Sequence, residues 1–178
     1  MNDDKVVHFK SVIYQEMAES RGSWSTSEYR NLVLNIILLV YLSNKFKVKY
    51  LELVNESEGY EEDIDEYSIE NIFYLPQESR WDYIMENIEA KNVKEIFYRA
   101  LDYLKHSNPP LKEVVFPFSI FEIDEYALRT FLYIFKDYIS DNNLENEVWI
   151  KIYKSFLKDF AGLHQEYNFV LEKIDKII

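Results

Sequence analysis

The chain has 178 residues, of which 48% are hydrophobic and 17% aromatic, and its formal net charge at pH 7 is −12. This length predicts a single domain, and the three glycines and four prolines argue against both a turn-rich all-β fold and a disordered chain. The absence of cysteine excludes disulfides, thiolate metal sites and cysteine nucleophiles. The first ten residues lack the basic-then-apolar layout of a secretory signal, so we expect a cytoplasmic location.

Two helices are predicted before residue 50. The apolar positions that recur at helical spacing in the first are Val6, Phe9, Val12, Ile13 and Met17. This helix is expected to end near residues 21–22. The second contains the almost unbroken apolar run of residues 32–42, and Ser25 and Glu28 precede it at the spacing of a capping box, which favours a helix start.

The apolar run is too short for a membrane span. A bilayer requires about 20 consecutive apolar residues, and this run has roughly half that length, is interrupted by Asn35, and is followed by Lys45, Lys47 and Lys49. We therefore expect a helix buried in a helical domain, with no membrane partner and with the three lysines near its end.

The middle of the chain begins with an acidic segment, residues 56–70, that contains no base. Like charges at this density repel, which predicts a solvated loop. Pro76 then ends an extended piece, and Trp81, Ile84 and Ile88 predict a short helix.

Four further helices complete the predicted fold. The apolar stripe of the next helix contains Val93, Ile96, Phe97, Ala100, Leu101 and Leu104. Residues 108–110, Asn-Pro-Pro, should end it. Another helix starts near Asp124, a third runs from about Leu144 with Gly162 as its C-terminal cap, and residues 167–177 predict a last one. The fold class is all-α, a compact multi-helix bundle with irregular loops and no significant sheet.

Signatures of catalysis are missing from this pattern. The three histidines have no metal-ligand spacing, and three scattered glycines cannot form a phosphate or cofactor loop. We therefore predict no catalytic, cofactor-binding or metal residue in this chain. Asn108-Pro109-Pro110 resembles the N-P-P-[FY] motif of amino-group DNA methyltransferases, but Leu111 replaces the aromatic that stacks on a flipped base. We interpret it as a helix stop.

Four blocks of residues, in order, resemble those of one protein family. The first block is Arg21-Gly22, Glu28-Tyr29-Arg30, Leu34, Leu38-Leu39 and Tyr41-Leu42-Ser43. The second is Phe73, Leu75-Pro76, Ser79 and Arg80-Trp81, and the third is Asn108-Pro109 with Leu111-Lys112. The fourth is Ile152-Tyr153, Leu157 and Phe160-Ala161. Together they resemble the N-terminal helical (HsdM-like) domain of the methylation (M) subunits of type I restriction–modification systems, which methylate adenine in DNA.

The resemblance implies a domain over residues 1–161, with residues 162–178 as a C-terminal helical extension or the start of a linker. Val40 and Trp24 depart from the family pattern, and residues 162–167 do not match the start of the family's catalytic domain. We therefore expect no methylation by this chain alone. The parent enzyme implied by the resemblance uses S-adenosylmethionine. The implied partners are a specificity (S) subunit, a second M subunit, a restriction (R) subunit and duplex DNA.

Seven residues are candidate contacts with DNA or with other subunits: Arg21, Arg30, Arg80, Trp81, Lys151, Lys154 and Lys158. The three lysines fall at i, i+3 and i+7 and share a helix face. A structural interpretation competes at each position, because arginine also pairs with carboxylates, tryptophan fills cores, and lysines on helices are commonly solvated.

The charge leaves two other functions open. A net charge of −12 opposes independent DNA binding, since affinity for DNA comes largely from cations that displace counterions. One alternative is a stand-alone protein–protein adaptor, and the other is an acidic DNA mimic that regulates a DNA-modifying enzyme. The preferred function is subunit assembly and DNA enclosure.

Overall fold

The computed structural model describes residues 2–20, 26–142 and 144–178, and these ranges contain eight α-helices, two 3₁₀ segments and no strand. The helices are α1 (Asn2–Glu19), α2 (Thr26–Glu56), α3 (Ile64–Ser68), α4 (Trp81–Glu86), α5 (Val93–Ser107), α6 (Glu125–Asn142), α7 (Asn146–Ala161) and α8 (Gln165–Ile177). The 3₁₀ segments are Gln77–Ser79 and Pro109–Glu113. The all-α prediction is confirmed.

Helix α2 is the central element of the bundle and packs along α7. Residues 32–42 are all buried, as expected. The helix is long and apolar enough to cross a membrane, yet 72% of its most apolar stretch is buried in the fold, which is typical of a core helix. It continues to Glu56, so Lys45, Lys47 and Lys49 lie well before its end, contrary to our prediction. The predicted cap, Ser25, lies outside the described residues.

Aromatic side chains join α1, α6 and α7. The Phe9 ring of α1 contacts Phe135 of α6 edge-on, with centroids 5.0 Å apart, and Trp149 of α7, with centroids 5.6 Å apart. Helix α8 then covers α7 and buries Tyr167, Val170 and Ile174. The predicted first and last helices are thus present, and each closes one side of the core.

The acidic segment is only partly the solvated loop that we predicted. Its acids are mostly exposed, but residues 64–68 form α3, in which Tyr67 is fully buried. The Tyr67 ring stacks on Phe46 with centroids 4.7 Å apart, and its hydroxyl donates to the Glu61 carbonyl. Asp63 caps α3 by accepting the Asp65 N–H at 3.0 Å. One buried aromatic and one cap therefore order a segment whose charge favours solvation.

The predicted helix ends are mostly correct. Helix α5 stops at Asn108, and the Asp124 carboxylate accepts the Tyr126 N–H at 2.9 Å at the start of α6. Gly162 follows α7 as predicted, but its φ of −69° is right-handed, so this position does not require glycine. Ile88 lies beyond the end of α4, although it is buried.

Candidate interaction surfaces

Arg80 lies at the start of α4, and its guanidinium is held by hydrogen bonds and by two aromatic rings. Nε donates to the Leu75 carbonyl at 3.0 Å, and Nη2 donates to Glu62 Oε2 at 2.7 Å. The guanidinium carbon lies 4.6 Å from the Phe46 ring centroid and 5.1 Å from that of Tyr50. With 18% of its side chain exposed, Arg80 ties the acidic segment to α2.

The contact with Arg80 lowers the pKa of the Glu62 carboxylate. Burial alone raises the pKa of Glu62, but hydrogen bonds from Arg80 and Tyr74 and the charge of Arg80 outweigh burial and hold that pKa below its usual range. The Tyr74 hydroxyl donates to the same oxygen, Glu62 Oε2, at 2.8 Å. Glu62 is therefore a structural carboxylate rather than a proton carrier.

Backbone contacts join the first three sequence blocks. The N–H of Trp81, in the second block, donates to Ser43 Oγ, in the first, at 2.7 Å, and the Trp81 side chain is buried. The Asn108 amide, in the third block, donates to the Tyr74 carbonyl at 2.8 Å. Ser79 Oγ donates to the Ala100 carbonyl at 2.7 Å. The first and second blocks are therefore joined directly, and the third block is joined to Tyr74, which lies between Phe73 and Leu75 of the second.

Arg30 joins the first block to the fourth. Its guanidinium carbon lies 5.4 Å from the Phe160 ring centroid, and the side chain is half-buried. Arg21 lies outside the described residues. Arg30, Arg80 and Trp81 all have structural contacts within the domain, and their contacts with DNA or with subunits stay predictions.

The three lysines of α7 do share a face, as the spacing predicted, but they differ in their surroundings. Lys154 forms an ion pair with Asp175 of α8. Lys151 and Lys158 are exposed. The charge that this face offers to a phosphate is therefore carried mainly by two lysines.

Many other cations are already paired within the domain. Ion pairs join Lys10 to Asp159, Lys47 to Asp82, Lys49 to Glu70, Lys173 to Glu113, and Arg129 to Glu125. Each such pair reduces the positive potential available to DNA.

A wide groove runs beside the second half of α2. It has a volume of about 650 Å³ and lies between α2, the segment after α3, and the facing ends of α6 and α7. Its apolar lining includes Val48, Leu51, Ile72, Ile139, Leu144 and Ile150. Val48 is 62% exposed and Leu51 50% exposed. These two side chains therefore present apolar surface to solvent beside the groove.

The other side of the same helix borders a smaller hollow of about 330 Å³, which Tyr50, Arg80 and Tyr83 line. Lys47 and Leu51 border both spaces, so this part of α2 is a ridge between two hollows. Sequence reasoning missed this surface because it ended α2 too early. The signal was present in Val48 and Leu51, which continue the apolar pattern beyond the buried run.

One buried polar atom, in a residue that lines the groove, has no hydrogen-bond partner among the described residues. Asn146 Oδ1 is buried and accepts no hydrogen bond from the described part of the chain. Over the described ranges, no group of three or more His, Asp and Glu side chains is arranged to hold a metal ion.

A comparison with known proteins places the chain in a family. The model of the HsdM N-terminal domain matches residues 11–135, which contain the first three blocks, while the fourth lies beyond the match. A relative, the type I restriction enzyme MjaIX methylase subunit of Methanocaldococcus jannaschii, is 31% identical over 123 residues. That alignment covers 60% of this chain but only 22% of the relative's length. The chain therefore belongs to the HsdM N-terminal domain family.

Proposed function

We propose that this domain is the non-catalytic assembly domain of a type I restriction–modification M subunit, and that it helps to enclose DNA by holding subunits together. The family membership and the methylase relative support the parent enzyme. The proposed parent methylates adenine with S-adenosylmethionine. Its proposed partners are the S subunit, a second M subunit and the R subunit.

The observation that carries the assembly role is the exposed ridge of α2. Val48 and Leu51 leave an apolar surface beside a groove of about 650 Å³ on a helix whose first half is buried. Exposed apolar surface of this kind favours burial against another protein chain. Nothing in the core requires these two side chains to be apolar, since both lie outside it.

The charge distribution supports only a secondary role for this domain in contacting DNA. The net charge is −12, and many of the cations form internal ion pairs. Counterion release requires cations that are free to meet phosphates. Lys151 and Lys158 of α7 are the exposed candidates, and in this proposal they act only once assembly has placed them next to the duplex.

Two binding measurements on the folded chain test this proposal. We expect fluorescence anisotropy to show no tight binding of a labelled duplex at about 0.15 M salt, because charge repulsion dominates. We expect sedimentation to show a complex with the S subunit of the same system, with an affinity that changes little between low and high salt. Tight, salt-dependent DNA binding without any subunit complex would reject the assembly role.

A further inference from the structure

We infer that the groove beside α2 holds an amphipathic helix of a partner chain, with acidic residues along one edge. This inference rests on the proposed assembly function and specifies the chemistry of the partner segment. Two observations carry it: the spacing of the ridge residues and the charge of the rim.

The spacing along α2 favours a helix as the occupant. Tyr41, Asn44, Val48 and Leu51 all line the groove, and they are separated by three, four and three residues. This alternation is the a/d pattern along which one helix packs lengthwise against another. Because α2 is helical throughout this span, the four side chains form one stripe.

The groove rim differs in charge from the rest of the domain. Lys45 and Lys47 line the groove with one acid, Glu147, in a chain whose net charge is −12. Lys47 also pairs with Asp82 at 2.6 Å, but its side chain is half-exposed, and Lys45 Nζ lies 5.6 Å from the Tyr41 ring centroid. Carboxylates on the occupant would meet the Lys45 ammonium group directly and would share that of Lys47 with Asp82. A second copy of this acidic chain is disfavoured by repulsion.

Photocrosslinking within the assembled complex tests the inference. A small aliphatic diazirine residue replaces Val48 or Leu51, one at a time, in the M subunit, and the complex is formed with the S subunit of the same system. Val7, an exposed residue of α1, provides the matched control position. Mass spectrometry then identifies the crosslinked peptide. Sedimentation measures in parallel whether the complex has formed.

The expected result is a crosslink from positions 48 and 51, but not from position 7, to a helical segment with carboxylates on one flank. If the complex forms and these positions crosslink only to DNA, to another M subunit, to a non-helical segment or to nothing, the inference is rejected and the assembly role stands. If the unmodified subunit forms no complex, the proposed function fails, and the inference fails with it.

Charge reversal provides a second, independent measurement. The variant Lys45→Glu should weaken complex formation at least ten-fold at low salt, with a smaller effect at high salt. Lys136→Glu is the matched control, because Lys136 lies outside the groove and, like Lys45, has its ammonium group over a tyrosine ring, at 5.5 Å compared with 5.6 Å. Equal effects of the two variants would contradict the acidic flank. Circular dichroism verifies that both remain folded.

Discussion

Asn35 and Phe116 exchange two hydrogen bonds across the core. Asn35 Nδ2 donates to the Phe116 carbonyl at 3.0 Å, and the Phe116 N–H donates to Asn35 Oδ1 at 2.9 Å. Asn35 is 1% exposed and lies in the middle of the apolar run of α2. The residue that interrupts this run thus secures the loop before α6 to the central helix.

Replacing Asn35 by leucine should therefore destabilise the domain. The change leaves two buried backbone groups of Phe116 unpaired, and each costs about 1–3 kcal/mol, so we expect the free energy of unfolding to fall by about 2–6 kcal/mol. Urea denaturation followed by circular dichroism measures it. Asn168→Leu, at an exposed position of α8, is the control and should have little effect. Similar midpoints for the two variants would contradict the structural role of Asn35.

The Glu62–Arg80 pair predicts how stability depends on pH. The pKa of Glu62 is lowered in the folded state, so the pair stabilises the domain above the unfolded pKa of about 4.3, and this stabilisation is lost as the pH falls through the folded value. The wild type should thus exceed Glu62→Gln in stability at pH 7 and lose that advantage below about pH 4. Thermal unfolding between pH 3 and 7 measures the difference. In an Arg80→Met background the dependence should be much weaker, and an unchanged dependence would argue against this pair.

Two glycines should respond in opposite directions to alanine. Gly59 has a φ of +80°, so Gly59→Ala places a side chain in the left-handed region and should cost about 1–2 kcal/mol. Gly162 has a φ of −69°, and a Cβ added there would meet no atom within 4 Å, so Gly162→Ala should stabilise the domain by about 0.4–1 kcal/mol. Chemical denaturation of both variants measures the changes. A shift of the same sign in both would show that backbone conformation does not determine these effects.

The lysine face of α7 can be tested without disturbing an ion pair. Lys151→Glu with Lys158→Glu reverses the two exposed charges and leaves the Lys154–Asp175 pair in place. The fold should be unchanged, and DNA affinity of the assembled enzyme should fall about ten-fold at 0.1 M salt, with a shallower salt dependence. Anisotropy titrations with labelled duplex measure both. Unchanged affinity in the assembled enzyme would remove this face from the DNA contacts.

The isolated chain should bind no S-adenosylmethionine. No glycine-rich loop exists to hold the cofactor, because the sequence contains only three scattered glycines. Isothermal titration calorimetry with the folded chain is expected to show no saturable heat. Saturable binding at micromolar cofactor would mean that this domain contributes to the cofactor site.

Local patterns in the sequence predicted most of the helices. The stripe from Val93 to Leu104 and the proline stop after Asn108 are short-range signals, and both define α5 correctly. Burial of Tyr67 was not predictable, because it depends on a ring of α2, Phe46, that is distant in the sequence. Local charge favoured a solvated loop there, and a long-range contact overrode it.

The sequence predicted the candidate surfaces less completely than it predicted the helices. The helical period placed Lys151, Lys154 and Lys158 on one face, but it could not show that Lys154 pairs with Asp175 on the next helix. The groove is formed by α2, α6 and α7 together, so no single segment carries its signature. Val48 and Leu51 reveal it only once α2 is known to continue past the buried run.

Helix α2 contains no glycine or proline along its 31 residues, so it is a continuous rod about 46 Å long. Residues 32–42 fix its first half in the core, while Val48 and Leu51 of its second half form the surface ridge and Phe46 and Leu53 are buried. The rod therefore has no hinge at which the two halves can move independently. A displacement of the ridge residues is therefore transmitted along the helix to residues 32–42 in the core.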